Sequence, residues 1–144
     1  MNTTETRTVH VVKFYAATAR LLSLNDGGHW ATRAKNVQAW RWAAFIAACE
    51  QLPRRQRTSG LWLVAVSLPV VDRRRRDPHN FVATLKPIID GITDTGRCWD
   101  DDDGSQVATL EPELRYCYPT EDVRVWVTIT APADPHGPLR EMAA

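Results

Sequence analysis

The stretch Leu61 to Val71, LWLVAVSLPVV, is nearly all apolar. It is far shorter than the roughly 20 residues a membrane-spanning helix needs. Its β-branched content and unbroken hydrophobicity fit a strand buried on both faces, and therefore central in a sheet. Whatever else the chain forms must cover that strand.

The flanking segments supply the cover. Val9 to Tyr15 (VHVVKFY) is β-branched and aromatic and reads as a strand. Leu24 to Gly28 (LNDGG) is turn chemistry. A helix is expected from an N-cap at Thr32 to about Leu52, where Pro53 stops it. Val37, Trp40, Ala44 and Ala47 form one apolar stripe on it, and Trp42, Phe45 and Cys49 a second, so a broad face should lie against the sheet. Gln51 to Gly60 is a polar, basic loop. Asp77-Pro78 opens a second helix, with Asp as N-cap and Pro at the first helical position. Phe81, Leu85, Ile88, Ile89 and Ile92 are its buried stripe, and Pro87 is expected to kink or split it.

Asp94 to Ser105 reads as a loop, and Val107 to Tyr116 as a weak edge strand interrupted by Pro112. In Val123 to Ala131 the residues Val123, Val125, Val127 and Ile129 alternate with Arg124, Trp126, Thr128 and Thr130, the pattern of a strand with one buried face. The order β-α-β-α-β-β implies an α/β (α+β) fold, a small mixed sheet with two helices on one face. One domain spans 1–133, and the Pro-rich 134–144 is expected to be a flexible tail.

Composition excludes several classes. With 144 residues, 44% hydrophobic and 24% charged, the chain is one folded domain rather than a disordered segment. Cys49, Cys98 and Cys117 are odd in number and lack a CxxC pair, which argues against a disulfide framework or a four-ligand zinc site. Met1 to Arg7 is polar and carries Glu5, so a cytoplasmic location is expected, with no secretory signal and no membrane partner.

Net charge is only +1, but the charge is segregated. Arg54, Arg55 and Arg57 form one basic cluster and Arg73, Arg74, Arg75 and Arg76 another, while Asp100, Asp101, Asp102 and Asp103 are consecutive. Two like charges about 4 Å apart near a protein surface repel by about 4 kcal/mol. Solvation, Arg partners, protonation or a bound cation can relieve this, and a solvated acidic loop is the plain reading. An EF-hand fails on register: with Gly104 sixth, the first and last ligand positions are Trp99 and Leu110. Mg²⁺ needs only one to three carboxylates, completed by water and phosphate oxygens. Asp77, at the end of the central strand, could supply one, and a loop returning Asp101, Asp102 or Asp103 to the same strand end the others.

On the second helix His79, Ala83, Lys86 and Asp90 share a face. Lys86 and Asp90 are an ordinary i,i+4 pair on one reading. On the other, Lys86 neutralises charge developing on a phosphate. Taken singly, Asp77 reads as a simple helix cap, His79 as a surface residue and the Arg run as a solvated segment. Arg also forks onto phosphates, and this run leads straight into Asp77.

The string RRRRDPHNFVATLKPIIDGITDTGRCWDDDDGSQV resembles the RusA-like Holliday junction resolvases, a family of small phage and prophage endodeoxyribonucleases. Arg76, Asp77, Asn80, Lys86, Asp90, Gly96, Asp102, Asp103, Gln106 and Val107 match the family pattern in order, over about a quarter of the chain. The upstream segment with Asn25, His29, Trp30 and Arg33 is similar to phage members.

The resemblance implies a homodimeric, Mg²⁺-dependent nuclease, with Mn²⁺ as a substitute, that makes paired nicks in branched DNA in a bacterial host cell. It implies metal binding by Asp77 with Asp102 and Asp103, catalysis assisted by Lys86, and phosphate contacts from Arg73 to Arg76. Asn80, His29 and Arg33 are further DNA-binding candidates. Three features depart from the pattern. His79 stands where the family has a second Asp, which makes His79 or Asp101 an additional candidate ligand. Asn80 and Lys86 are six residues apart instead of three, and Gly104 adds a residue before Gln106. The rival expectation is a non-cleaving DNA- or junction-binding accessory protein of phage origin.

Overall fold

The computed structural model describes residues 7–15, 30–54, 60–70, 73–117 and 123–133. Its elements are β1 (Val9–Phe14), α1 (Trp30–Gln51), β2 (Trp62–Val70), a 3₁₀ turn (Pro78–Phe81), α2 (Val82–Thr95), β3 (Val107–Thr109), β4 (Glu113–Tyr116) and β5 (Val125–Thr130). The fold is α+β, a mixed five-stranded sheet with two helices. The expected tail 134–144, together with Asn25, His29, Arg55 and Arg57, lies outside the described residues.

β2 is central. It pairs antiparallel with β5 on one side and parallel with β3 and β4 on the other, while β1 closes the far side of β5. Burial along β2 alternates: Trp62, Val64, Val66, Leu68 and Val70 are buried, and the residues between them are half-buried. This corrects the reading of a strand buried on both faces. Both helices pack into a single core cluster with the buried face of β2, β5 and β1. The other face carries only partial cover, so the small residues Ala65 and Ser67 tolerate it without needing a second apolar layer.

The expected strand Val107 to Tyr116 is two strands. Val64 pairs with Thr109 and Ser67 with Glu113, so one more residue is used on the β3–β4 side than on β2. That is a bulge, and it falls at Leu110 to Pro112, where proline has no N–H to give to a ladder.

α1 starts at Trp30, upstream of the expected cap at Thr32, and ends beside Pro53. The stripe of Trp40, Ala44 and Ala47 enters the core, with Val37 packed against it. The second stripe does not: Trp42 is 63% exposed and stacks on Phe45, ring centroids 5.6 Å apart. The small Ala residues, not the large aromatics, face α2, which lets the two helices approach closely. Gly91 of α2 shows how closely, since a Cβ there would lie 2.3 Å from the backbone oxygen of Arg41. One turn on, Arg41 forks onto Asp94 with two bonds of 2.7 and 2.8 Å.

The break in the second helix comes at Phe81/Val82 and not at Pro87. Pro87 sits inside a continuous α2 and is buried against the core. Packing of Leu85, Ile88, Ile89 and Ile92 holds the helix through the missing N–H. Gly96, at φ 63°, then ends it in the left-handed conformation that glycine adopts without strain.

Candidate functional site

Asp77 is the cap that its sequence context suggests. Its Oδ1 accepts from the His79 N–H at 3.0 Å, and its carbonyl accepts from the Asn80 N–H at 3.0 Å, which winds the 3₁₀ turn. That turn presents His79 outward and leads into α2, whose exposed face carries Lys86 and Asp90.

The acid loop returns to the same helix. Beyond Gly96, Arg97 donates to the Leu52 carbonyl at 2.6 Å, and the Trp99 indole donates to Thr93 at 2.7 Å and packs edge-on to Trp62. Buried Cys98 and Trp99 thus anchor the loop from one side, and burial pushes the Cys98 thiol up to about 12. From the other side β3 pairs with β2, and the Trp62 N–H donates to the Gln106 carbonyl at 2.8 Å.

Between these anchors the four aspartates diverge. Asp102 turns to α2 and accepts from the Lys86 ammonium, which also reaches Asp90 at 3.0 Å. The bond from Lys86 holds the Asp102 carboxyl below its ordinary range, and Asp102 with Asp90 raises Lys86. Asp103 folds back onto its own turn, accepting from the Ser105 hydroxyl and N–H, and these bonds lower its pKa. Asp101 accepts from the Asp102 N–H at 2.8 Å.

A cleft of about 410 Å³ opens between α2 and the bulge. Of the expected site residues, His79, Lys86 and Asp102 line it together; Asp77, Asp101 and Asp103 are not among its lining residues. The sequence reading missed Glu111. The bulge beside Pro112 sends it into this cleft, 3.9 Å from His79 Nδ1. An acid beside a proline in a weak strand was the available signal.

A second cleft of about the same volume lies at the carboxyl end of β2. Arg73, Arg74 and Arg76 line it with Leu114 and Tyr116, and the Arg73 guanidinium lies 4.6 Å from the Tyr116 ring centroid. Arg75 is exposed beside it, and Arg33, on α1, is half-buried. Asp77 stands in the chain between Arg76 of one cleft and His79 of the other.

The donors are mostly hard carboxylate oxygens, the kind Mg²⁺ takes one or two at a time with water and phosphate. They suit that ion in kind. They are not gathered into a ready cage: among the described residues, no group of three or more His, Cys, Asp or Glu side chains is placed to hold a metal. Nor is any described helix long and apolar enough to cross a membrane. No family model matches the chain, and no curated protein or solved structure matches it either.

Proposed function

We propose that the chain is a Mg²⁺-dependent endodeoxyribonuclease that nicks branched DNA, such as a four-way junction, as a homodimer. The observation that carries this is the meeting of Lys86 and Asp102 on one cleft, which the short segment from Arg76 to His79 links in the chain to another lined by arginines. A phosphodiester backbone gripped by Arg73, Arg74 and Arg76 would lie next to Asp77 and then to the Lys86 cleft, a sequence-independent grip suited to recognising shape.

Mg²⁺, when bound, would lower the pKa of a water and polarise the scissile phosphate. Asp77, Asp102 and Asp103 are the candidates to hold it, with His79 and Asp101 as further donors. Binding would have to draw them together, since of these only Asp102 and His79 line the Lys86 cleft. Lys86 places a positive charge beside the phosphate oxygens and stabilises the negative charge that builds on them. Asp90, one turn along α2, pairs with the Lys86 ammonium at 3.0 Å and helps hold it on the helix face.

A second reading, a non-cleaving DNA-binding accessory protein, draws on one observation. Lys86 pairs with both Asp102 and Asp90 and so offsets one of their two negative charges, which gives Asp102 a structural role that needs no metal. A nicking assay on a synthetic four-way junction separates the two. Mg²⁺-dependent nicks, lost in Asp102→Asn, support the nuclease; salt-sensitive binding with no nicking supports the accessory protein.

A further inference from the structure

The acid loop is wound around one neutral side chain. Gln106 Oε1 accepts from the backbone N–H of Asp100 at 3.0 Å and of Asp101 at 3.2 Å, while its Nε2 donates to Asp103 Oδ2 at 3.3 Å. Its own N–H donates to the Asp103 carbonyl at 3.0 Å, and its carbonyl holds the Trp62 N–H of the central strand. Three of the four consecutive aspartates are therefore tied to Gln106, and Asp102 alone is left to face Lys86.

Only an amide does all of this at such reach. It offers an acceptor to two N–H groups and a donor to a carboxylate on the same short planar group. A glutamate keeps the acceptor but repels Asp103, and an apolar chain of equal length keeps neither. Four adjacent carboxylates left to themselves would spread apart to lessen their repulsion, which would draw Asp102 off Lys86.

We infer that Gln106 is the positioning residue of the site. By fixing the backbone of Asp100 and Asp101 and restraining Asp103, it aims Asp102 at Lys86 across the cleft. The part that concerns turnover rests on the nuclease reading; the part that concerns loop geometry does not.

The test uses the full chain with Gln106→Met, which keeps side-chain length, and Gln106→Glu, which keeps the acceptor. Amide hydrogen exchange is read at Asp100, Asp101 and Asp102, and single-turnover nicking and junction affinity are measured on a four-way DNA with Mg²⁺. In Gln106→Met, exchange at Asp100 and Asp101 should rise at least tenfold. Nicking should slow by roughly 10- to 100-fold, as for an active-site group misplaced by about 1 Å, at unchanged affinity. Gln106→Glu should keep the Asp100 and Asp101 protection. Unaltered exchange in Gln106→Met overturns the positioning role outright, and raised exchange with an undiminished nicking rate reduces Gln106 to a structural residue. A wild-type chain that does not nick defeats the nuclease reading instead, and the exchange measurements still decide whether Gln106 holds the loop.

Discussion

Lys86 on α2 and Asp102 in the acid loop, sixteen residues apart in the chain, share a direct charge-assisted bond at the mouth of one cleft. The same ammonium holds Asp90 one helical turn on. The helix pair foreseen from i,i+4 spacing exists, and a third partner from a distant loop has joined it. Lys86 thereby couples a rigid helix to the segment of the chain richest in negative charge.

Replacing Lys86 should therefore affect turnover more than stability. The side chain is largely exposed, and exposed ion pairs are worth about 0 to 1 kcal/mol. Lys86→Ala should keep its urea midpoint close to wild type and keep junction affinity. Its single-turnover nicking rate should drop by roughly 10²- to 10³-fold, the range for loss of one group stabilising transition-state charge. An unchanged rate would return Lys86 to the role of an ordinary surface pair.

Asp77 poses a different problem, because it caps the 3₁₀ turn and is also a candidate ligand. Asn caps as well as Asp does, whereas Ala costs about 1 kcal/mol. Asp77→Asn should melt like wild type and yet fail to nick, while Asp77→Ala should lose both stability and activity. Thermal melts beside the nicking assay separate the two roles; full activity in Asp77→Asn leaves only the cap.

The arginine cleft can be read by salt. Each phosphate contact removed should lower the slope of log affinity against log salt by about 1 and weaken all sequences alike. Arg73→Ala and Arg76→Ala are expected to do this on four-way DNA, measured by fluorescence anisotropy between low and moderate salt. A slope equal to wild type in both would place the DNA elsewhere.

Much of this architecture was legible in the chain, and the parts that were not share a cause. Alternation along β5 and the apolar run of β2 are local signals, and both strands formed where expected. The reading that β2 is buried on both faces failed because hydrophobicity reports what a residue tolerates, not what covers it. Trp42 and Phe45 were assigned to a buried face on hydrophobicity, yet the close helix crossing at Gly91 selects alanine on α1. The acid loop stood out as four adjacent acids, but which of Asp101, Asp102 and Asp103 turns to α2 was not legible, because the bonds from Lys86 and Gln106 that sort them come from outside the run. Glu111 was missed because its place in the cleft depends on a bulge, a relation between two strands that neither displays alone.

Gly91 gives a direct test of that crossing. On an isolated helix Gly→Ala gains about 1 kcal/mol of propensity. Here the new Cβ would meet the Arg41 oxygen at 2.3 Å and the Phe45 nitrogen at 3.0 Å, both backbone atoms that cannot rotate away. The helices would have to separate, and overpacking of this kind costs about 1 to 3 kcal/mol. Gly91→Ala should lower the urea midpoint; a raised one would mean that the helices stand further apart.

The Arg41–Asp94 fork spans the same crossing and sets a pH dependence. The bond from Arg41 holds the Asp94 carboxyl below its ordinary range, and Lys86 and Ser105 do the same for Asp102 and Asp103. A carboxyl whose pKa is lower folded than unfolded leaves the unfolded chain binding more protons as pH falls. Its stabilisation is present above the unfolded value, about 3.9, and is lost as pH drops through the folded one. Stability should thus be flat from pH 7 to about pH 5 and decline below about pH 4. Asp94→Asn should lower the plateau by no more than about 1 kcal/mol, since both partners are about 40% exposed. It should also flatten the acid decline. Urea midpoints at pH 6, 4 and 3 for wild type and Asp94→Asn give the answer, and coincident curves for the two would show that the fork contributes nothing to folding.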